Sequence, residues 1–510
     1  MAFAITQTCC NDATCVSVCP VNCIRPTPEE QAFGSTEMLH IDPETCIDCG
    51  ACSDACPVDA IFPVSSLTAG QREYADINAA YFERAEEESQ AEAQGTRDFG
   101  PNFHAWGEPT FDRVLPSDFG PLRVAIVGTG PAGMYAAEDL LLHTRAQVTL
   151  IDRLPFAGGL IRYGVAPDHP ATKKIGDSFA RFHTHPRVRL RLGLEVGADI
   201  TAEELAAHHD AVIYAVGAAT DRRLGIPGEK STGSLSATTF VAWYNAHPEV
   251  APDAVDLSTE RVVVVGNGNV ALDVARILVS DPKTLADTGI ARHALAELRR
   301  SKVREVVLLG RRGPEDSACT RSELLALRHL PEVDLIVDDH DPRIGAVIDA
   351  AGSKDKAGVL RGVAREAVDW SVPPDRTGRR RIVFRFLSRP VEVCGDEHVR
   401  AVRVSHGAGE LDIPTGMVLR AIGYRGTPQA GLPFDEATGT VPHEQGRVTG
   451  RAGTYVVGWI KRGPSGGIGA NRACAEETVG TLLADAVAGA LPTPTGSARA
   501  FPRLARRRRR

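Results

Sequence analysis

Cys46-x-x-Cys49-x-x-Cys52-x-x-x-Cys56, with Pro57 directly after, is a spacing that suits iron. Two-residue gaps let three thiolates reach three corners of one cubane iron–sulfur cluster from a single tight loop, while the fourth thiol is aimed at a second cluster. Neither a disulfide framework nor a set of buried structural thiols requires that regularity. Upstream lies Cys9-Cys10-x4-Cys15-x3-Cys19-Pro20-x2-Cys23, which repeats only the closing part of the pattern. Nine of the twelve cysteines fall between Cys9 and Cys56, so the metal chemistry is concentrated in one short stretch.

Two glycine loops offer a different chemistry. Gly128-x-Gly130-x-x-Gly133 follows the apolar run Arg123–Val127 and opens a helical pattern; the next apolar run ends at Asp152. Gly128 permits the tight turn, Gly130 lets the backbone approach a pyrophosphate, Gly133 allows close helix–strand packing, and Asp152 can accept from a ribose. The loop alone does not choose between FAD and NAD. The second loop, Gly266-Asn267-Gly268-Asn269-Val270-Ala271, follows Arg261–Val265 and keeps a small residue at its third glycine position. Its next strand ends in Gly310-Arg311-Arg312 instead of an acid. Two guanidiniums suit a 2′-phosphate, so this site is expected to take NADP(H) rather than NAD(H).

These residues need rigid elements behind them. From Leu122 onward apolar runs alternate with longer helical patterns, which predicts parallel sheets built from βαβ units. The expected fold class is α/β: two Rossmann-like nucleotide-binding domains of the three-layer ββα type, the NADP domain inserted in the FAD domain, plus a small α+β ferredoxin-like N-terminal domain. The expected boundaries are 1–68 for the cluster domain, 69–118 for a linker with one short helix, 119–232 and 416–490 for the FAD domain, 233–415 for the NADP domain, and 491–510 for a basic, disordered tail. At 510 residues several cores are required. Residues 1–70 carry a net charge of −8 and the last twelve residues hold seven arginines, so an acidic front end faces a basic tail. With basicity confined to that tail, nucleic acid is not an expected partner. No apolar run approaches the roughly 18 residues of a membrane span. The start, MAFAITQTCC, has no signal-peptide pattern, and a cytoplasmic location is expected.

Several longer segments carry a family resemblance: GGLIRYGVAPDHPATKKI (158–175), FVAWYN (240–245), GNGNVALDVARIL (266–278), GRRGPEDSACTRSEL (310–324), AIGYRG (421–426) and GWIKRGPSGGIG (458–469). Together they resemble ferredoxin–NADP reductases of the adrenodoxin-reductase type over about 120–488. The resemblance implies FAD held by Ala132, Asp152, Leu160, Val196, Trp459 and Gly466, Gly467 and Ile468. It implies NADP contacts from Asn267, Gly268, Asn269 and Val270, the 2′-phosphate on Arg311 and Arg312, and Glu323 at the ribose region. His169 and Asp273 are the candidates for proton transfer or for tuning the nicotinamide side.

The cysteine groups resemble seven-iron bacterial ferredoxins. That resemblance implies a three-iron cluster ([3Fe-4S]) on Cys9, Cys15 and Cys56, and a four-iron cluster ([4Fe-4S]) on Cys19, Cys46, Cys49 and Cys52. Cys9 and Cys10 remain alternatives, a second [4Fe-4S] cluster remains open, and Cys23 is expected to be a free thiol near the clusters. The implied activity is an NADPH:ferredoxin oxidoreductase: a hydride passes from NADPH to FAD, then single electrons pass through the clusters to ferredoxin, a cytochrome P450-type chain or another one-electron acceptor. The competing readings are a glutamate-synthase small-subunit-like electron-transfer protein and a non-enzymatic electron-carrier scaffold.

Overall fold

The computed structural model describes residues 2–91, 115–352, 355–407, 409–497, 500–501 and 504–505, with only the backbone of 84–91. Its first part has two interlocked halves. One runs strand Phe3–Ile5, helix Thr14–Ser17, strand Ile24–Arg25; the other runs strand His40–Ile41, helix Ala51–Ala55, strand Ile61–Pro63. The outer strands pair with each other and the inner strands pair with each other, all antiparallel. Each half therefore pairs both of its strands with strands of the other, which ties the two cysteine-bearing segments into one small domain.

The segment expected as a linker opens with a 19-residue helix, Glu73–Ala91, and not a short one. Its Asn78 sits 2 % exposed against the cluster domain. The Asn78 carboxamide oxygen accepts from Ile5 N (3.2 Å) and Ile41 N (2.8 Å), and its nitrogen donates to Ile5 O (2.9 Å) and Tyr74 O (2.7 Å). A polar side chain makes the central contact, which is why apolar periodicity did not reveal the docking. Residues 92–114 of that expected linker lie outside the described residues.

Two seven-stranded sheets follow. In the first, Thr454–Val456, Ala211–Tyr214, Arg123–Val127, Gln147–Asp152 and Val188–Leu192 run parallel, with His443–Glu444 and Arg447–Val448 added antiparallel at one edge. The second is all parallel, in the order Ser234–Ser236, Met417–Arg420, Arg261–Val265, Glu305–Leu309, Arg380–Arg385, Val333–Asp338, Ala364–Glu366. The insertion boundary expected at 416 is corrected by this pairing: Met417–Arg420 is a strand of the second sheet, so the chain leaves it only after Arg420. The outgoing and returning crossings pair with each other as a short antiparallel ribbon, Thr220–Asp221 with Tyr424–Arg425. A three-stranded antiparallel unit, Arg389–Cys394, Ala401–His406 and Gly409–Pro414, is appended to the second domain.

The tail also differs from its expected disorder. Gly496 N donates to Ala207 O (2.7 Å), and Phe501, 4 % exposed, packs edge-on to His209. One aromatic seated on two histidines outweighs the polar composition around it; residues 506–510 lie outside the described residues. Among the described residues no helix is long and apolar enough to cross a membrane.

Replacing Asn78 by Leu leaves two buried strand amides without acceptors. The cluster domain should lose about 1–3 kcal/mol for each group so orphaned. Faster amide hydrogen exchange at Ile5 and Ile41, with the reductase sheets unchanged, is the expected readout.

Candidate functional site

At the mouth of the first sheet, three distant segments converge. Gly128 has φ +108, and a side chain there would overlap the Ala215 carbonyl, so only glycine fits the turn. Gly133 faces the Gly128 carbonyl equally closely. Gly130 caps the helix Pro131–His143 with no side-chain partner on the first-turn amides, which leaves donors for a phosphate. Against Gly130 lies Gly159, next to Leu160, and against Ala132 lies Gly458, next to Trp459. Leu194 N donates to Asp152 O (3.0 Å), bringing the turn that carries Val196 beside the same loop. The structure thus gathers the expected flavin residues at one mouth.

Asp152 is oriented by a residue that sequence reasoning missed. Thr129 donates to its Oδ2 from both backbone N (3.0 Å) and Oγ1 (2.5 Å), and Leu154 N donates to Oδ1 (3.0 Å). A carboxylate has about four acceptor positions, so one is left for a ribose hydroxyl. Trp459 is likewise set in place: its Nε1 donates to Ser465 O (3.1 Å) and its ring lies 5.2 Å from that of Tyr424. Gly466 has φ +75; Gly467 and Ile468 continue the turn into the helix Ala470–Val487.

The second mouth is built the same way. Gly266 has φ +123, and a side chain would overlap the Ala421 carbonyl. Gly268 caps the helix Asn269–Val279, which begins with Asn269 and Val270. Asn267 Oδ1 accepts from Ala318 N (3.3 Å) and Asn269 Oδ1 accepts from Thr320 N (2.7 Å), tying the loop to the 318–323 turn. Arg311 and Arg312 stand exposed at the end of Glu305–Leu309, with Arg312 Nη1 3.7 Å from Asp316.

Between the mouths the structure assembles a charged cluster. His169 comes from the flavin side; Asp273 and Glu323 come from the nucleotide side; their ligating atoms lie within 4.8 Å of one another. Glu323, expected at the ribose region, sits in this junction. Its pKa is pushed up by burial and then by the charge of Asp273. Arg276 binds the cluster together: Nε and Nη2 donate to Asp168 (2.6 and 3.1 Å) and Nη2 donates to Asp273 (2.7 Å). Burial opposes the charge on Arg276, but Asp273 and Asp168 more than offset it and push its pKa up. Burial likewise works against Asp168, and Arg276 overcomes it, so that carboxyl is lowered. With a guanidinium already supplying positive charge, this cluster suits proton holding better than metal binding. Asp168 and Arg276 were not singled out from sequence; the signals were their places beside His169 and three residues after Asp273.

The thiols form two groups. Cys19, Cys23, Cys46, Cys49 and Cys52 line one small cavity with Phe3, Val21, Ile47 and Gly50. Cys23, expected as a free thiol, lies in that cavity, 3.4 Å from Cys19 Sγ; this bond lowers the Cys19 pKa and raises that of Cys23. Cys9, Cys10, Cys15 and Cys56 make the other group, close enough to act on one another electrostatically. Burial raises Cys9 to about 11 and Cys52 to about 12. Thiols so placed become thiolates when cations take them, which is the coupling that metal clusters supply. The donor sets suit iron–sulfur chemistry, and the grouping puts Cys19 with the thiols of the second half and Cys56 with those of the first.

Comparison with known proteins agrees with this anatomy. Residues 122–309 match the family "Pyridine nucleotide-disulphide oxidoreductase" and residues 39–62 match "4Fe-4S binding domain". A "Probable ferredoxin/ferredoxin--NADP reductase" of Mycobacterium tuberculosis is 46% identical, covering 100% of this chain and 88% of the relative. "NADPH:adrenodoxin oxidoreductase, mitochondrial" of Arabidopsis thaliana is 38% identical over 76% of this chain and 87% of the relative. The solved structure "Mycobacterium tuberculosis FprA in complex with NADPH" is 41% identical, with a TM-score of 0.68, covering 76% of this chain and 90% of that one.

Arg276→Met would strip three carboxyl groups of their shared cation. A loss of about 3–5 kcal/mol is expected, the usual cost of breaking a buried pair. Urea unfolding of the purified protein should show the corresponding fall in midpoint.

Proposed function

The chain belongs to the ferredoxin/ferredoxin–NADP reductase family, and from that premise we propose that it moves electrons from NADPH through FAD and its own clusters to a ferredoxin or another one-electron acceptor. The observation that carries this reading is the convergence of two nucleotide mouths on one junction, with His169 on one side and Asp273 and Glu323 on the other. FAD, when bound, supplies the change from two-electron to one-electron chemistry. The relatives' names favour this activity over the glutamate-synthase-like alternative.

The chain's own residues bind, orient and hold protons. Gly128, Gly130, Gly133 and the free amides after them take the flavin pyrophosphate, and Asp152 takes its ribose. Ala132, Leu160, Val196, Trp459, Gly466, Gly467 and Ile468 enclose the rest of the flavin. Asn267, Gly268, Asn269 and Val270 hold the NADP backbone, while Arg311 and Arg312 clasp its 2′-phosphate. His169 and Asp273 act at the junction, where Glu323, raised by burial, can keep a proton. No nucleophile is needed.

On the cluster side, Cys19, Cys46, Cys49 and Cys52 hold a [4Fe-4S] cluster, and Cys9, Cys15 and Cys56 hold a [3Fe-4S] cluster; Cys10 is the alternative ligand that would complete a second four-iron site. A cytoplasmic location fits, since nine clustered thiols need a reducing compartment.

Anaerobic NADPH should bleach the flavin absorbance band and then reduce a one-electron acceptor; no bleaching would sink the proposal. Arg311→Ala and Arg312→Ala, tested singly, should each raise the KM for NADPH roughly 10–100-fold, since a charge-assisted bond contributes about 1.5–3 kcal/mol, while NADH use stays unchanged. Iron and sulfide analysis with low-temperature EPR of anaerobic protein should give seven irons per chain; eight would add Cys10 to Cys9, Cys15 and Cys56 as the fourth ligand of a second four-iron cluster.

A further inference from the structure

The two thiol groups are not equivalent with respect to the reductase. Gly469, one residue after the proposed flavin-capping turn, donates from its backbone N to the Cys10 carbonyl at 2.8 Å. A side chain at Gly469 would overlap both Cys10 O and Asn11, so the two backbones touch only because that position is glycine. Arg472, about one helical turn further, lies between the N-terminal domain and the reductase. Its guanidinium covers the Tyr135 ring at 5.0 Å, donates to Thr14 Oγ1 at 3.5 Å, and stands 4.0 Å from Asp12 and 3.9 Å from Glu138. Beside the same thiol group, Asp59, three residues after Cys56 and close enough to act on it electrostatically, pairs with Lys174 of the flavin domain. Cys10, Asp12 and Asp59 all flank the Cys9/Cys15/Cys56 group.

The second group faces away. Every residue lining the Cys19/Cys46/Cys49/Cys52 cavity belongs to the N-terminal domain. Cys49 is exposed, and Ile47 beside it is 59 % exposed.

We infer that the docked N-terminal domain is polar: it presents the Cys9/Cys15/Cys56 cluster to the flavin and the Cys19/Cys46/Cys49/Cys52 cluster to solvent, so that electrons cross the Cys10–Gly469 contact first and leave at the Cys49 end. This rests on the electron-transfer reading proposed above. Each crossing moves one electron and changes no bond, so two crossings balance the two electrons of one hydride. The Cys10–Gly469 backbone contact shortens the gap without a side chain in it, and Arg472 fixes the register.

The test uses the full-length, cluster-loaded protein. Electron passage between NADP(H) and the Cys49-side cluster is followed by freeze-quench EPR, forward from NADPH or in reverse from dithionite-reduced protein to NADP+, whichever runs downhill. Arg472→Glu places an acid against Asp12 and Glu138. It should slow passage into the clusters roughly 10–100-fold, the scale of loss when reacting partners are displaced from a set geometry. Flavin bleaching by NADPH should keep its rate, and the Gly469 amide should lose hydrogen-exchange protection. Cys15→Ser, which removes the flavin-side cluster, should leave the Cys49-side cluster visible by EPR after dithionite yet cut off from NADP(H). Cys49→Ser should leave the flavin-side cluster connected. Undiminished passage to the Cys49-side cluster in Cys15→Ser, or full-rate passage in Arg472→Glu, would overturn the inference. Failure of NADPH to bleach the flavin in the unaltered protein would instead strike the functional reading beneath it.

Discussion

A buried guanidinium sets the distance between the two nucleotide mouths. Arg276 grows from the helix that begins at the second glycine loop, yet two of its bonds go to Asp168, in the loop that carries His169 from the flavin side. A charge that far from water is stable only while its donors are matched. Here the matching acids come from both domains, so neither can slide without leaving a carboxylate or the guanidinium unpaired. One mismatch is retained. Arg276 Nη1 and Glu323 Oε2 face each other at 3.7 Å, and neither has a hydrogen-bond partner. A buried acid beside a cation that does not quite reach it is held ready to gain or lose a proton, and it lies where both nucleotide sites open.

What could be read from sequence was whatever the backbone enforces locally. Gly128 and Gly266 each sit at positive φ against a carbonyl that a side chain would strike, so the residue type alone marks the turn. Asp152 and the Arg311-Arg312 pair were legible because they stand at fixed places after those turns. Long-range partners were not. Asp273 and Arg276, three apart on one helix, look like an ordinary surface pair until Asp168 arrives from 108 residues away. Cys23, expected as a free thiol near the clusters, lies in the thiol cavity, but its contact with Cys19 Sγ was not legible from spacing. Met417–Arg420 was misassigned because an apolar run does not reveal which of two parallel sheets it joins.

Charge explains how the cluster domain finds its seat. The ion pairs across the junction put the acid on the N-terminal side and the base on the reductase side: Asp59 with Lys174, Glu37 with Lys356, Glu73 with Arg321, Asp12 with Arg472. Such partly exposed pairs are each worth little, about 0–1 kcal/mol, but a one-signed set of them steers approach and rejects wrong registers. The acidic front end noted in the sequence is therefore the complement of a basic rim and not merely a solvated surface.

Steering alone would permit a loosely tethered domain, since a covalent link already keeps the local concentration high. The contacts inside the rim argue for something more definite. Tyr74 Oη donates to Ser322 O (3.2 Å) and Arg321 N donates to Glu37 (2.7 Å), each with a backbone group at one end, while Gly469 N donates to Cys10 O (2.8 Å) from backbone to backbone. A long side chain can keep a contact while the domains shift by an ångström; a backbone amide cannot. The junction therefore combines exposed charges that guide the domain in with a backbone-to-backbone contact that holds it at one distance. The glycine at 469 belongs to the second kind, because it lets two backbones meet at the place where a side chain would have kept them apart.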